Sequence, residues 1–104
     1  MIIYNVTTKV DHSIAASWLQ WMKEEHIPEI KATGCFANAR ILQLIEVDEA
    51  DGLTYAVQYE AKSKALYNRY IQKFSDELRK KTLEKFVCSE RFLSVKRVFY
   101  THHL

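Results

Sequence analysis

Residues 40–47, RILQLIEV, are apolar on both sides of an extended chain: Ile41, Ile45 and Val47 fall one way, Leu42 and Leu44 the other. A strand with one wet face alternates apolar with polar, so this run asks for a sheet covered on both faces. The segment 48–52, DEADG, is a turn by composition. Residues 53–61 then alternate, with Leu53, Tyr55, Val57 and Tyr59 opposite Thr54, Ala56, Gln58 and Glu60. The two runs are predicted to form an antiparallel hairpin.

Around this hairpin the chain repeats a strand–helix rhythm. Residues 2–10 are β-branched and aromatic, with Ile2, Tyr4, Val6, Thr8 and Val10 on one side. Asp11 or Ser13 is predicted to cap a helix along which Ala15, Leu19, Met22, His26 and Ile30 recur at helical spacing. Pro28 removes a helical N–H and predicts a kink near His26, or a second short helix starting there. Gly34 supplies a left-handed stop. Ser63 is predicted to cap a second helix with the ladder Leu66, Tyr67, Tyr70, Ile71, Phe74 and Leu78, and with a bend between Arg79 and Lys85. Residues 92–101 read as the last strand.

The order β-α-β-β-α-β, with right-handed crossovers, gives an α+β, ferredoxin-like fold: a four-stranded antiparallel sheet with two helices on one face. The 104 residues fit one domain, 1–104. The other sheet face must meet water or a partner, and the two-sided run at 40–47 points to a second copy packed sheet to sheet. With 15 basic and 13 acidic side chains the charge is too balanced to advertise a nucleic-acid partner. Thr54, Ala56, Gln58 and Glu60 on the outer side of the third strand also offer no ring on which a base can stack. Cys35 and Cys88 are too few and too far apart for a disulfide framework, and suit reduced thiols. The opening residues lack a basic, signal-like segment, and no apolar run approaches the roughly 18 residues of a membrane span. A cytoplasmic protein with no membrane partner is expected.

Four segments carry a family resemblance: MIIYNVT at the start, WLQWMKEEHIPEIKATGCF (18–36), ARILQL (39–44) and TYAVQYEA (54–61). They resemble a family of short bacterial proteins of unknown function, which is similar to the dimeric α/β-barrel group. That group includes cofactor-independent monooxygenases of antibiotic biosynthesis and haem-degrading enzymes. The resemblance implies ferredoxin-like protomers pairing through their sheets, and carries no reaction with it. Against the haem-degrading pattern of Asn, Trp and His, only Asn5 matches. The third strand has no Trp and the second helix no His.

Among individual residues, His26 lies on the apolar stripe beside the Pro28 interruption. Its imidazole suits a general base, with Asn5 as a polar companion on the first strand; the plainer alternative is a ring fastening the kink to a freed carbonyl. Trp18 and Trp21 sit at helical spacing as core residues or as walls for a flat ligand. Tyr4, Tyr55 and Tyr59 belong to a set of six tyrosines that suits an aromatic ligand or an interface. Arg97 can bind a carboxylate. His102 and His103 read as a solvated pair. No glycine loop, nucleophile elbow or metal-ligand spacing is present, so no cofactor and no metal are expected. Two classes stay open. One is a homodimer that binds a small hydrophobic or aromatic molecule, or turns one over as a cofactor-independent oxygenase or isomerase. The other is a non-catalytic interaction module.

Overall fold

The computed structural model describes residues 1–85 and 92–100, with Leu83 and 92–100 as backbone only. The elements run β1 (Ile2–Val10), α1 (Ala15–Trp21), a π-helical turn (Met22–His26), α2 (Ile27–Ala32), β2 (Asn38–Gln43), β3 (Leu53–Ala61), α3 (Lys64–Lys73), α4 (Ser75–Lys85) and β4 (Phe92–Tyr100). The sheet has the order β2-β3-β1-β4, and every neighbouring pair is antiparallel. This is the ferredoxin-like arrangement. Expectations for Phe86, Val87, Cys88, Thr101, His102 and His103 fall outside the described residues, as do those for the side chains of Leu83, Arg97 and Tyr100.

The central pair fixes the two faces. β1 and β3 pair over nine residues, with Tyr4 opposite Tyr59, Val6 opposite Val57 and Thr8 opposite Tyr55. Side chains alternate along a strand, so these residues share the side that meets the helices. Ile2, Tyr4, Thr8, Val10, Tyr55, Val57, Tyr59 and Ala61 are all buried. They meet Trp18, Met22 and Ile30 from the first helical segment and Tyr70 and Leu78 from the second.

The first helical segment breaks where Pro28 demands it. Ile27 N–H bonds the carbonyl of Met22, a five-residue step that widens the turn. Pro28 then enters the first turn of α2, where a missing N–H costs nothing. A one-turn π-bulge resolves the interruption that the sequence predicts near His26. The expected cap is corrected. Asp11 Oδ1 accepts from Ser13 N (2.9 Å) and Ser13 Oγ (2.7 Å), closing a turn before the helix, while the N-cap itself is Ile14 without a side-chain bond. Ser63 does cap α3: its Oγ accepts from Leu66 N at 3.2 Å. The predicted bend lies earlier than Arg79. Phe74 leaves helical geometry with φ −125° and closes α3, and Ser75 opens α4.

β2 is shorter and shifted relative to the predicted 40–47 run. It spans Asn38–Gln43, after which Leu44 N makes one more bond to Thr54 O at 2.9 Å. Ile45 and Val47 therefore stand in a loop, 75% and 40% exposed, and do not continue one side of the strand. Ile41 packs against the core, whereas Leu42, on the opposite face, is 44% exposed in the single chain.

Two glycines hold unusual places. Gly34 follows α2 with φ +77° and open space around it. Gly52 ends the β2–β3 loop pressed onto β1: a Cβ there would meet the Val10 carbonyl oxygen, with its carbon at 2.8 Å and Asp11 Cα at 3.2 Å. Backbone cannot step aside, so Gly52→Ala is expected to destabilise by about 2 kcal/mol or more. Gly34→Ala meets only the left-handed penalty of about 1 kcal/mol. Urea unfolding midpoints of the two variants check this order.

Candidate functional site

The inner face carries an aromatic cluster under α3. Tyr4 of β1 stands at its centre, with ring centroids 6.1 Å from Phe36, 5.9 Å from Tyr59, 5.7 Å from Tyr67 and 5.9 Å from Tyr70. Phe36 closes the group at 5.4 Å from Tyr59 and 4.8 Å from Tyr70. The tilted and edge-on geometries are those that aromatic quadrupoles favour. Burial pushes the Tyr4 phenol up to about 12, Tyr67 adds to the rise and Arg79 opposes it. Burial also raises Tyr59 and Tyr70, each then raised further by neighbouring phenols. All three are neutral hydrogen-bond donors at pH 7.

At the other end of the same face, Trp18 fills the core. It is 2% exposed, and its ring lies 5.1 Å from Tyr55. Trp21 is half-buried on the π-turn side and stacks on His26 at 4.7 Å and 22°. The two tryptophans thus take different directions, one into the core and one to its margin. His26 is half-buried at the junction of the π-turn and α2. Among the described residues its ring is held by the Trp21 stack rather than by a hydrogen bond to a freed carbonyl. Desolvation brings its pKa down to about 4, against a raising effect from Glu29 and a further lowering from Lys81. Glu29 and Lys81 form an ion pair of 3.1 Å that ties α2 to α4. The imidazole is therefore neutral at pH 7, the state a general base requires.

Asn5 is not with His26. It follows Tyr4 on β1, so alternation turns it to the face opposite the helices. There it is only 6% exposed, because it joins a row across the sheet. Arg40 Nε donates to Gln58 Oε1 at 2.8 Å, Gln58 Nε2 donates to Asn5 Oδ1 at 3.3 Å, and Asn5 Nδ2 donates to Thr7 Oγ1 at 2.9 Å. The β1–β4 register continues the row by setting Arg97 opposite Asn5. Gln58, Arg40 and Thr7 were not singled out from the sequence, although hairpin register and strand parity carry the signal. Leu42, next along β2 on this face, is in register with Ala56. The site residues therefore divide into three groups: Trp18 and the tyrosines inside, His26 with Trp21 at the helical margin, and Asn5 outside. Among the described residues no cluster of three metal-ligating side chains occurs, and no helix is long and apolar enough to cross a membrane.

A sheet of this order with helices on one face defines a ferredoxin-like α+β protein. Residues 1–102 match the family described as a domain of unknown function, DUF4286, and the chain belongs to that family. No curated protein matches it in sequence. Among solved structures it is similar to SnoaB, a cofactor-independent oxygenase from Streptomyces nogalater, with TM-score 0.65 and 10% identity over 99% of this chain and 95% of that one. It is similar also to a dimeric ferredoxin-like protein from an uncultured marine organism, with TM-score 0.68 and 11% identity over 98% and 97%. A third is a monooxygenase from Streptomyces coelicolor in complex with nanaomycin D, with TM-score 0.59 and 13% identity over 99% and 90%. At such identities the likeness is one of fold.

The depressed His26 pKa has a consequence for stability. The unfolded histidine titrates near 6.5 and the folded one near 4, so between these values the unfolded chain binds more protons. Its contribution is intact above pH 6.5 and is lost as pH falls towards 4. His26→Gln is expected to flatten this acid limb, read as the difference in urea midpoint between neutral and acidic buffer for variant and parent.

Proposed function

We propose that this protein is a homodimer, paired sheet to sheet as an α/β-barrel, that binds a small hydrophobic or aromatic molecule between its helices and sheet. The observation that carries the pairing is the hydrogen-bonded row Arg40–Gln58–Asn5–Thr7 on the outer face. Burying polar groups costs least when each already has its partner. Here both amides use a donor and an acceptor within the chain, so a second sheet can cover them without orphaning them. Leu42 beside the row, exposed in the single chain, supplies the apolar contact. The dimeric ferredoxin-like neighbour supports the same reading by its fold.

The ligand half of the reading rests on the inner tyrosines. Tyr4 and Tyr59 are buried neutral phenols among flat rings, chemistry suited to an aromatic molecule with acceptor oxygens that enters past Tyr67, half-buried at the rim. Trp18 and Tyr55 pack on each other further along the same face, and Trp21 flanks its margin. The backbone register sets Arg97 opposite Asn5. An enzymatic reading, as a cofactor-independent oxygenase- or isomerase-like protein, draws on His26, whose imidazole is neutral at pH 7.

Light scattering at high micromolar concentration is expected to give twice the chain mass, and Leu42→Asp with Gln58→Glu to give the single-chain mass; a monomeric parent ends the pairing reading. Nanaomycin D is expected to quench the intrinsic fluorescence saturably, with Tyr59→Phe weakening binding by about tenfold for the lost hydrogen bond. No saturable quenching removes the ligand reading and leaves the module. If binding occurs, turnover lost in His26→Gln with binding retained identifies the enzyme.

A further inference from the structure

The loop between β2 and β3, residues 44–52, combines features that a solvent-filled connection does not need. Met1, Leu42, Ile45 and Val47 are the large hydrophobic side chains exposed among the described residues, and three of them lie within six positions of one another. Between Ile45 and Val47, Glu46 holds a left-handed conformation at φ 59°, which a side chain other than glycine adopts against its preference. The loop is also tied down. His12 Nε2 meets the Glu49 carbonyl at 2.6 Å, Lys9 faces Asp51 at 3.8 Å, and Ala50 N donates to Asp48 Oδ1 at 3.0 Å. Gly52 seats its end against Val10. An apolar tip in open water that is nonetheless held in one shape is preorganised for contact.

Its place in the fold says what it contacts. Ile45 and Val47, of the opposite parity to Leu42, stand just past the last pairing of β2, at the end of the sheet that a second copy would cover. The loop 44–52 follows directly from that strand end. Its charge is one-sided, with Glu46, Asp48, Glu49 and Asp51 all exposed and no base among residues 44–52. The outer sheet face carries Arg40, which spends its Nε on Gln58 and keeps the rest of its guanidinium for another carboxylate.

We propose that residues 44–52 form an arm that clasps a second copy of this chain, with Ile45 and Val47 packing past the edge of the partner sheet and the acidic rim facing the partner's Arg40. The inference rests on the sheet-to-sheet pairing proposed above. Two-fold symmetry makes the contact reciprocal, so each dimer has two such arms.

Sedimentation equilibrium tests it. Ile45→Asp with Val47→Asp is expected to raise the dimer dissociation constant by tenfold or more while leaving the far-UV spectrum and the thermal melt of the single chain unchanged, because both side chains are already exposed within one chain. Arg40→Glu alone is expected to weaken pairing, and Glu46→Arg in the same chain to restore part of it. A dimeric parent whose dissociation constant is unmoved by the loop substitutions overturns the arm and leaves the pairing standing. A monomeric parent overturns both.

Discussion

Everything in this fold depends on the register between β1 and β3. Tyr4 faces Tyr59 and Asn5 faces Gln58 across nine antiparallel residue pairs. A slip by one residue would send every side chain of one strand to the opposite face. The tyrosines would lose their rings under α3, and the amide row would lose its neighbour. The register is held by what each face demands: the inner one buries Ile2, Val10, Val57 and Ala61, and the outer one closes a polar chain. One pairing thus creates both surfaces that matter, an aromatic interior and a hydrogen-bonded exterior.

The two surfaces are built on different physical principles. The interior is stabilised by burial and ring packing, and its cost falls on the phenols, which are held neutral well above their ordinary ionisation range. The exterior carries a polar row that satisfies its own hydrogen bonds within the chain. His26 belongs to neither. It sits at the seam that Pro28 forces between the two parts of the first helical segment, beside the Glu29–Lys81 pair. Its neutrality comes chiefly from desolvation, with a smaller lowering from Lys81.

Much of this was legible in the residues. The 2–10 and 53–61 strands, the Ser63 cap, the left-handed Gly34 and the Pro28 interruption each follow from local chemistry with short reach. Parity alone placed Tyr4 and Tyr59 on one side. The same parity places Asn5 on the other, so the pairing of Asn5 with His26 as one site asked two opposite faces to meet. The apolar run at 40–47 was harder to read. Hydrophobicity identifies a residue that avoids water but does not say which neighbour covers it, and Ile45 and Val47 stand outside the strand altogether. The break at Phe74 was hidden because its apolar spacing continues smoothly through a change in backbone angle.

The sequence by itself determined the order of elements, the faces of the central strands and the position of the helical interruption, because period-two and period-3.6 patterns and proline's missing N–H act within a few residues. Only the tertiary structure decided that Arg40, Gln58, Asn5 and Thr7 form one row, that Trp18 is core while Trp21 is margin, and that β2 stops at Gln43. Each of these depends on which distant strand or helix lies alongside. That choice is made by packing between residues tens of positions apart, where local propensity has no say.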